Sequence, residues 1–284
     1  MTDKFIPKTP VVVSYPQTPP ESFAETEQIV KYLRARGLEA PQGSIYDEAL
    51  RKRVKARDFD VLIALGGDGT MLRAGHLCAP YQVPILGINM GRLGFLIQIE
   101  RGEWREMLER LFQGEGWIEE RLMLHAEHIR GGQSLAEWHA LNEVVVGRGL
   151  ALRPVRLDAT VDGRPLTTFV CDGLIASTPT GSTAYALAAG GPILPPDLHN
   201  MLLVPIAPHL SVDRAVVLAE GSAVRISVRS ENTVVSVDGQ APIALLEGDH
   251  VDVRSAEFAA HFVRFGDPGY FYRNLNAHLN QPHL

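Results

Sequence analysis

The pattern of the chain changes once, near Gly114-Glu115-Gly116, and that change limits what it can fold into. Before it, apolar β-branched runs alternate with charged amphipathic stretches. Residues 11–15 read as a strand after Pro10, Pro19-Pro20 breaks the chain, and 21–36 reads as a helix that Gly37 stops. Helices are also expected at 47–57, 70–78 and 103–112. Residues 60–65 and 83–89 are nearly all apolar, as strands covered on both faces should be. Strands alternating with helices predict a parallel α/β sheet. After the break come short β-branched or alternating runs at 122–129, 137–146, 155–161, 169–176, 223–228, 233–237 and 251–254. Turn pairs such as Asp162-Gly163, Asp238-Gly239 and Gly248-Asp249 separate them, which is the pattern of a layered all-β structure. One helix, 182–189, interrupts it before Gly190-Gly191-Pro192. Residues 270–279 read as a short helix that packs back on the first part. The expected fold is therefore α/β plus all-β. A Rossmann-like parallel domain takes in 1–115 and a returning tail, 266–284, and a β-rich layered domain takes in 116–265.

Composition narrows the function. Of the 284 residues, 45% are apolar and 21% charged, the range of a soluble globular protein. A net charge of −6 argues against a nucleic-acid partner, which needs a basic footprint. Cys78 and Cys171 lie far apart and read as core residues. His125 and His128, three apart on an expected strand, point to opposite faces, so no metal ligands are assigned. The opening residues MTDKFIPKTP lack an apolar h-region, and no run approaches the ~20 apolar residues of a membrane span. No membrane partner is expected, and the cytoplasm is the expected setting.

Two stretches carry chemistry. Gly66-Gly67-Asp68-Gly69-Thr70 joins an expected strand to an expected helix. Its glycines let backbone approach a ligand, and the helix start favours an anion such as phosphate. The spacing is neither the dinucleotide fingerprint nor a Walker A loop. Asp68 has two readings: a helix N-cap, or a carboxylate that takes a proton during phosphoryl transfer. The second stretch is Asp172-Gly-Leu-Ile-Ala-Ser-Thr-Pro-Thr-Gly-Ser-Thr-Ala-Tyr185. Six hydroxyl side chains fall within nine positions, able either to cap their own helix or to surround a sugar or phosphate. Tyr185 offers a stacking face.

Together these stretches resemble the NAD kinase family, ATP-dependent enzymes that phosphorylate NAD to NADP. The resemblance rests on GGDGT at 66–70, NMGRLGFL at 89–96, Leu141-Asn142-Glu143, the 172–185 stretch with Gly190-Gly191-Pro192, and Val237-Asp238-Gly239-Gln240, all in the family's order. It implies that Asp68 accepts the proton of the 2′-hydroxyl of the adenosine ribose. Gly67, Gly69 and Arg73 are implied near phosphates, and Asn142 and Glu143 at ribose and base. Asp172 is implied at the nicotinamide end, with Thr180, Thr183, Ala184, Tyr185 and Ala188 forming the pocket turn. Arg153 and Gln240 are further implied contacts. The substrates would be NAD and ATP, the cofactor Mg²⁺ or another divalent cation, and the assembly a homodimer or homotetramer.

The chain also departs from the family pattern. Val170 stands where some members carry arginine, which leaves NADH open as an acceptor. Leu194-Pro195-Pro196 and Ser211 to Ala215 replace two other elements, and inorganic polyphosphate is a possible donor within the family. The rival readings are a lipid kinase of the same superfamily, a non-catalytic dinucleotide sensor and a hydride-transfer dehydrogenase. They are disfavoured respectively by the hydroxyl-rich turn, the presence of Asp68 and the missing fingerprint.

Overall fold

The computed structural model describes residues 5–14, 21–91, 94–150, 153–209 and 212–279. The expectations that fall on Tyr15, Pro19-Pro20, Arg92-Leu93 and Ser211 lie outside these residues. The described chain forms two compact units, one of residues 1–120 with 259–284 and the other of 121–258.

The first unit is built on a six-stranded sheet. Its order is Gln42–Ser44, Pro10–Ser14, Val61–Gly66, Ile85–Asn89, Ala260–Arg264, Trp117–Arg121, and the first five pair in parallel. Every residue of Val61–Gly66 and Ile85–Asn89 is buried, as their unbroken apolar runs require. Helices Glu21–Ala35, Glu48–Lys55, Asp68–Cys78 and Trp104–Phe112 make the rest of the α/β framework. Gly37 ends the first in a left-handed conformation, φ +81°, while Arg34 and Leu33 carbonyls accept from Gly37 and Leu38. Asp47 caps the second by accepting the N–H groups of Ala49 and Leu50. Because Ala260–Arg264 is an inner strand and Val263 and Phe265 join the core, this unit reclaims the chain earlier than 266 and extends past 115. Helix Tyr270–Leu279 belongs to the same unit, with Tyr270 and Phe271 buried.

The second unit holds two six-stranded antiparallel sheets. One runs Arg164–Cys171, Val155–Val161, Val224–Val228, His250–Ser255, Leu124–Arg130, Gln133–Ala140. The other runs Val216–Leu218, Met201–Ile206, Gly173–Ser177, Glu143–Arg148, Thr233–Val237, Ile243–Leu245. Inward residues of both sheets, among them Phe169, Cys171, Leu174, Val144 and Ile226, share one apolar core.

Two expected single strands, 137–146 and 169–176, are each two strands. The chain leaves the first sheet and enters the second at Leu141-Asn142 and again at Asp172, and a sheet change needs unpaired residues between ladders. The expected helix 182–189 is a 3₁₀ turn, Thr180–Thr183, followed by a single helical turn, Tyr185–Ala188. The hydroxyl side chains there bond to local backbone, which competes with a regular helix. This segment also covers the second sheet, packing Ala186 and Leu194 on Ile175, Leu202 and Val204. Gly173–Ser177 is thus buried on both faces, which explains why its sequence does not alternate. No helix among the described residues is long and apolar enough to cross a membrane.

Candidate active site

In the first unit, one carboxylate organises the glycine-rich turn. Gly67 is the N-cap of helix Asp68–Cys78, so Asp68 is its first helical residue and not the cap. The Asp68 side chain accepts the backbone N–H groups of Phe95 (2.8 Å) and Leu96 (3.1 Å). Gly94 makes that approach possible, since a Cβ there would lie 2.1 Å from Asp68 Oδ1. A Cβ on Gly66 would likewise fall 2.1 Å from Thr70 Oγ1. Among the described residues, Gly67 meets no crowding and Gly69 has only the Arg73 guanidinium near it, so the turn presents backbone at a helix start. Arg73 donates from Nε to Tyr46 Oη and from Nη1 to the Gly69 carbonyl, both at 2.7 Å, which ties it to the turn.

A buried ion pair braces the segment that holds Asp68. Arg264 is 1% exposed and donates to Glu119 (2.7 Å) and to the Leu96 carbonyl (2.9 Å). Tyr270 Oη donates to the same Glu119. Leu96 is therefore held from one side by the returning strand while its N–H holds Asp68.

In the second unit, Asn142 and Glu143 sit at the first sheet change. Glu143 is buried, the N–H of Tyr185 donates to its carboxyl, and Oε2 has no hydrogen-bond partner among the described residues. Burial first, and the negative charge of Asp238 second, push this carboxyl up to about 7. The hydroxyl-rich turn folds against the same place. Thr178 Oγ1 donates to the Leu141 carbonyl and accepts from Gly181, while Ser177 Oγ donates to Asn142. Ser182 and Thr183 bond to the carbonyls of Pro179 and Thr180, and Thr180 Oγ1 accepts from Arg121. These hydroxyls thus build the turn itself. Ala184 is half-buried, and Tyr185 remains exposed beside Glu143.

Asp172 lies elsewhere. Strands Glu143–Arg148 and Gly173–Ser177 run antiparallel, with Ser177 opposite Glu143 and Gly173 opposite Gly147. Asp172 is thus at the far end of the pair, roughly 17 Å from Glu143 at about 3.4 Å per residue. There it is half-buried and pairs with Arg148 at 3.2 Å. Arg153, Ala188 and Gln240 are exposed, Gln240 in the turn after Thr233–Val237. Among the described residues no three His, Cys, Asp or Glu side chains converge as a metal cage.

Two family models match this chain, the ATP-NAD kinase N-terminal domain over residues 14–116 and its C-terminal domain over 141–265. The chain belongs to the ATP-NAD kinase family. A curated NAD kinase of Chloroflexus aurantiacus is 40% identical over 272 residues, covering 95% of this chain and 98% of the relative. One from Heliobacterium modesticaldum is 44% identical over 231 residues, 81% of each chain. Among solved structures, yeast NADH kinase complexed with NADH matches with a TM-score of 0.84 and 26% identity, covering 98% of this chain and 89% of that one. An NAD kinase from Archaeoglobus fulgidus in complex with ATP matches at 0.73 and 26%, covering 95% and 98%.

Several residues that shape this ATP-NAD kinase fold around its motifs escape a reading of the sequence. Arg148 and Arg264 act through partners distant in sequence, Asp172 and Glu119, and no local pattern marks them. Gly94 and Asp238 do carry a signal, because each lies inside a motif, but the expected roles fell on their neighbours.

Proposed function

We propose that this chain transfers the γ-phosphoryl group of ATP to the 2′-hydroxyl of the adenosine ribose of NAD, giving NADP and ADP. The observation that carries the reading is the Asp68 carboxylate, fixed by two N–H groups at a helix start among glycines. A carboxylate so placed repels phosphate unless it takes a proton or holds a cation. As the ribose oxygen bonds to the γ-phosphorus, its O–H bond breaks and the proton passes to Asp68, while the bond to ADP breaks. Holding the hydroxyl in line contributes most of the rate, since no covalent enzyme step is needed.

Glu143 and Asn142 recognise ribose and base, and Tyr185 lends its exposed ring to the nucleotide. Arg73 and the backbone of Gly67 and Gly69 serve the phosphates. Thr180, Thr183, Ala184 and Ala188 shape the pocket turn. Asp172 receives the nicotinamide end, with Arg153 and Gln240 as outer contacts. Among the described residues no side chains converge as a cage, which fits a divalent cation that would arrive with the nucleotide. When bound, it offsets phosphate charge. The uncharged Val170, together with the likeness to a kinase solved with NADH, favours NADH as a second acceptor. The cytoplasm is the proposed setting, and the sheet edges of the β-rich part fit a homodimer or homotetramer.

The test is NADP formation from ATP, Mg²⁺ and NAD, followed through an NADP-specific dehydrogenase. Activity that falls by about 10²-fold or more in Asp68→Asn while NAD binding persists is expected; absence of NADP in the parent protein would sink the kinase reading.

A further inference from the structure

Asp238, the buried acid beside Glu143, has no task in nucleotide binding so far. Asp238 is 9% exposed and follows strand Thr233–Val237 in a left-handed conformation, φ +46°, uncommon for a residue with a side chain. Its carboxylate accepts three consecutive backbone N–H groups: Leu141 on Oδ2 (2.7 Å), and Asn142 (2.9 Å) and Glu143 (2.8 Å) on Oδ1. Its own N–H donates to the Glu143 carbonyl at 3.0 Å.

The other side of the same three residues is held too. The Leu141 carbonyl takes Thr178 Oγ1, and the Asn142 carbonyl takes the Thr178 N–H and Ser177 Oγ. Every main-chain polar group from 141 to 143 therefore has a fixed partner, at the point where the chain changes sheets and ladder bonds are lacking. With the backbone pinned, the Asn142 and Glu143 side chains start from fixed bases.

We propose that Asp238 is a positioning residue for the nucleotide pocket, presenting Asn142 and Glu143 by clamping three consecutive N–H groups. The proposal rests on the reading of those two side chains as nucleotide contacts. It has a second consequence. The charge of Asp238 faces Glu143 from the neighbouring strand end, and the Tyr185 N–H faces it from the pocket turn. Asp238 favours the protonated form of Glu143 and the Tyr185 N–H favours the carboxylate. A carboxylate accepts ribose hydroxyls better than a carboxylic acid does, so nucleotide binding draws the proton off Glu143.

The experiment compares the full-length parent with Asp238→Asn, Asp238→Glu and Glu143→Gln. Initial rates are taken against NAD at several pH values on both sides of neutrality. In the parent, kcat/KM for NAD should fall below pH about 7 as Glu143 takes up its proton, and Glu143→Gln should lose that limb. Asp238→Asn removes the charge and one acceptor. It should raise KM about tenfold with kcat little changed, and move the acid limb to lower pH. Asp238→Glu keeps the charge but not the seat, so KM should rise while the limb stays. A folded Asp238→Asn with parental KM and an unmoved limb would overturn the proposal. If that variant does not fold, an unchanged KM in Asp238→Glu, or an acid limb that survives in Glu143→Gln, overturns it instead. Failure of the parent to make NADP would refute the kinase reading; parental kinetics in the Asp238 variants would refute this inference alone.

Discussion

In the proposed transfer, Asp68 works only if its two oxygens stay where the N–H groups of Phe95 and Leu96 put them. Gly94 is the residue most sensitive to that requirement. Gly94→Ala would drive a methyl into the carboxylate, and a displacement near 1 Å is expected to lower kcat by about 10²-fold. Steady-state kinetics beside a thermal melt would separate lost alignment from lost folding. Asp68→Asn keeps the shape and removes the proton acceptor, so kcat should fall by about 10²- to 10⁴-fold with KM for NAD nearly unchanged. Glu143 makes a stability prediction of the opposite kind. Its folded value of about 7 lies above the ordinary 4.5. The protonated form is therefore the stable one, and stability is lost as pH rises between those values. The loss is on the order of 3 kcal/mol if nothing relaxes. Denaturant unfolding of the ligand-free protein should show this decline, and Glu143→Gln should flatten it and be the more stable protein above neutral pH.

Among the elements, the strand Ala260–Arg264 has the widest reach, because Arg264 joins Glu119 to the Leu96 carbonyl inside the first unit. Arg264→Met leaves Glu119 buried without its ion-pair partner, and should cost about 3–5 kcal/mol. Chemical unfolding measures it, and the double variant Arg264→Met/Glu119→Leu should recover much of the loss. This strand was not expected from the sequence, because it lies behind a whole β domain and pairs with Ile85–Asn89, which is distant in the chain. Elements whose pattern is local were legible: the helices of the first unit, the buried strands and the strand runs after Gly116. The sheet changes at Asn142 and Asp172 were not. There the β-branched pattern continues while the pairing partner changes, and partners are set by tertiary packing. The motif residues stood out in the sequence. The roles of the hydroxyls in 177–183 did not, since the same composition builds a turn or lines a pocket.

At the scale of the whole molecule the proposed function is one phosphoryl transfer, with Asp68 as the proposed proton acceptor and Asn142 and Glu143 as proposed dinucleotide contacts. NADH should be phosphorylated beside NAD, since Val170 adds no charge that would select the oxidised ring. Competition between the two acceptors under saturating ATP would measure the ratio. The most direct measurement of the central claim follows the phosphoryl group itself. Protein, Mg²⁺ and NAD are mixed with ATP labelled at the γ-phosphorus, and the dinucleotide product is isolated. Label is predicted on the adenosine ribose at the 2′ position, in a product that an NADP-specific dehydrogenase accepts, appearing about 10²- to 10⁴-fold more slowly with Asp68→Asn. Label found only in inorganic phosphate, or at any other oxygen of NAD, would contradict the claim.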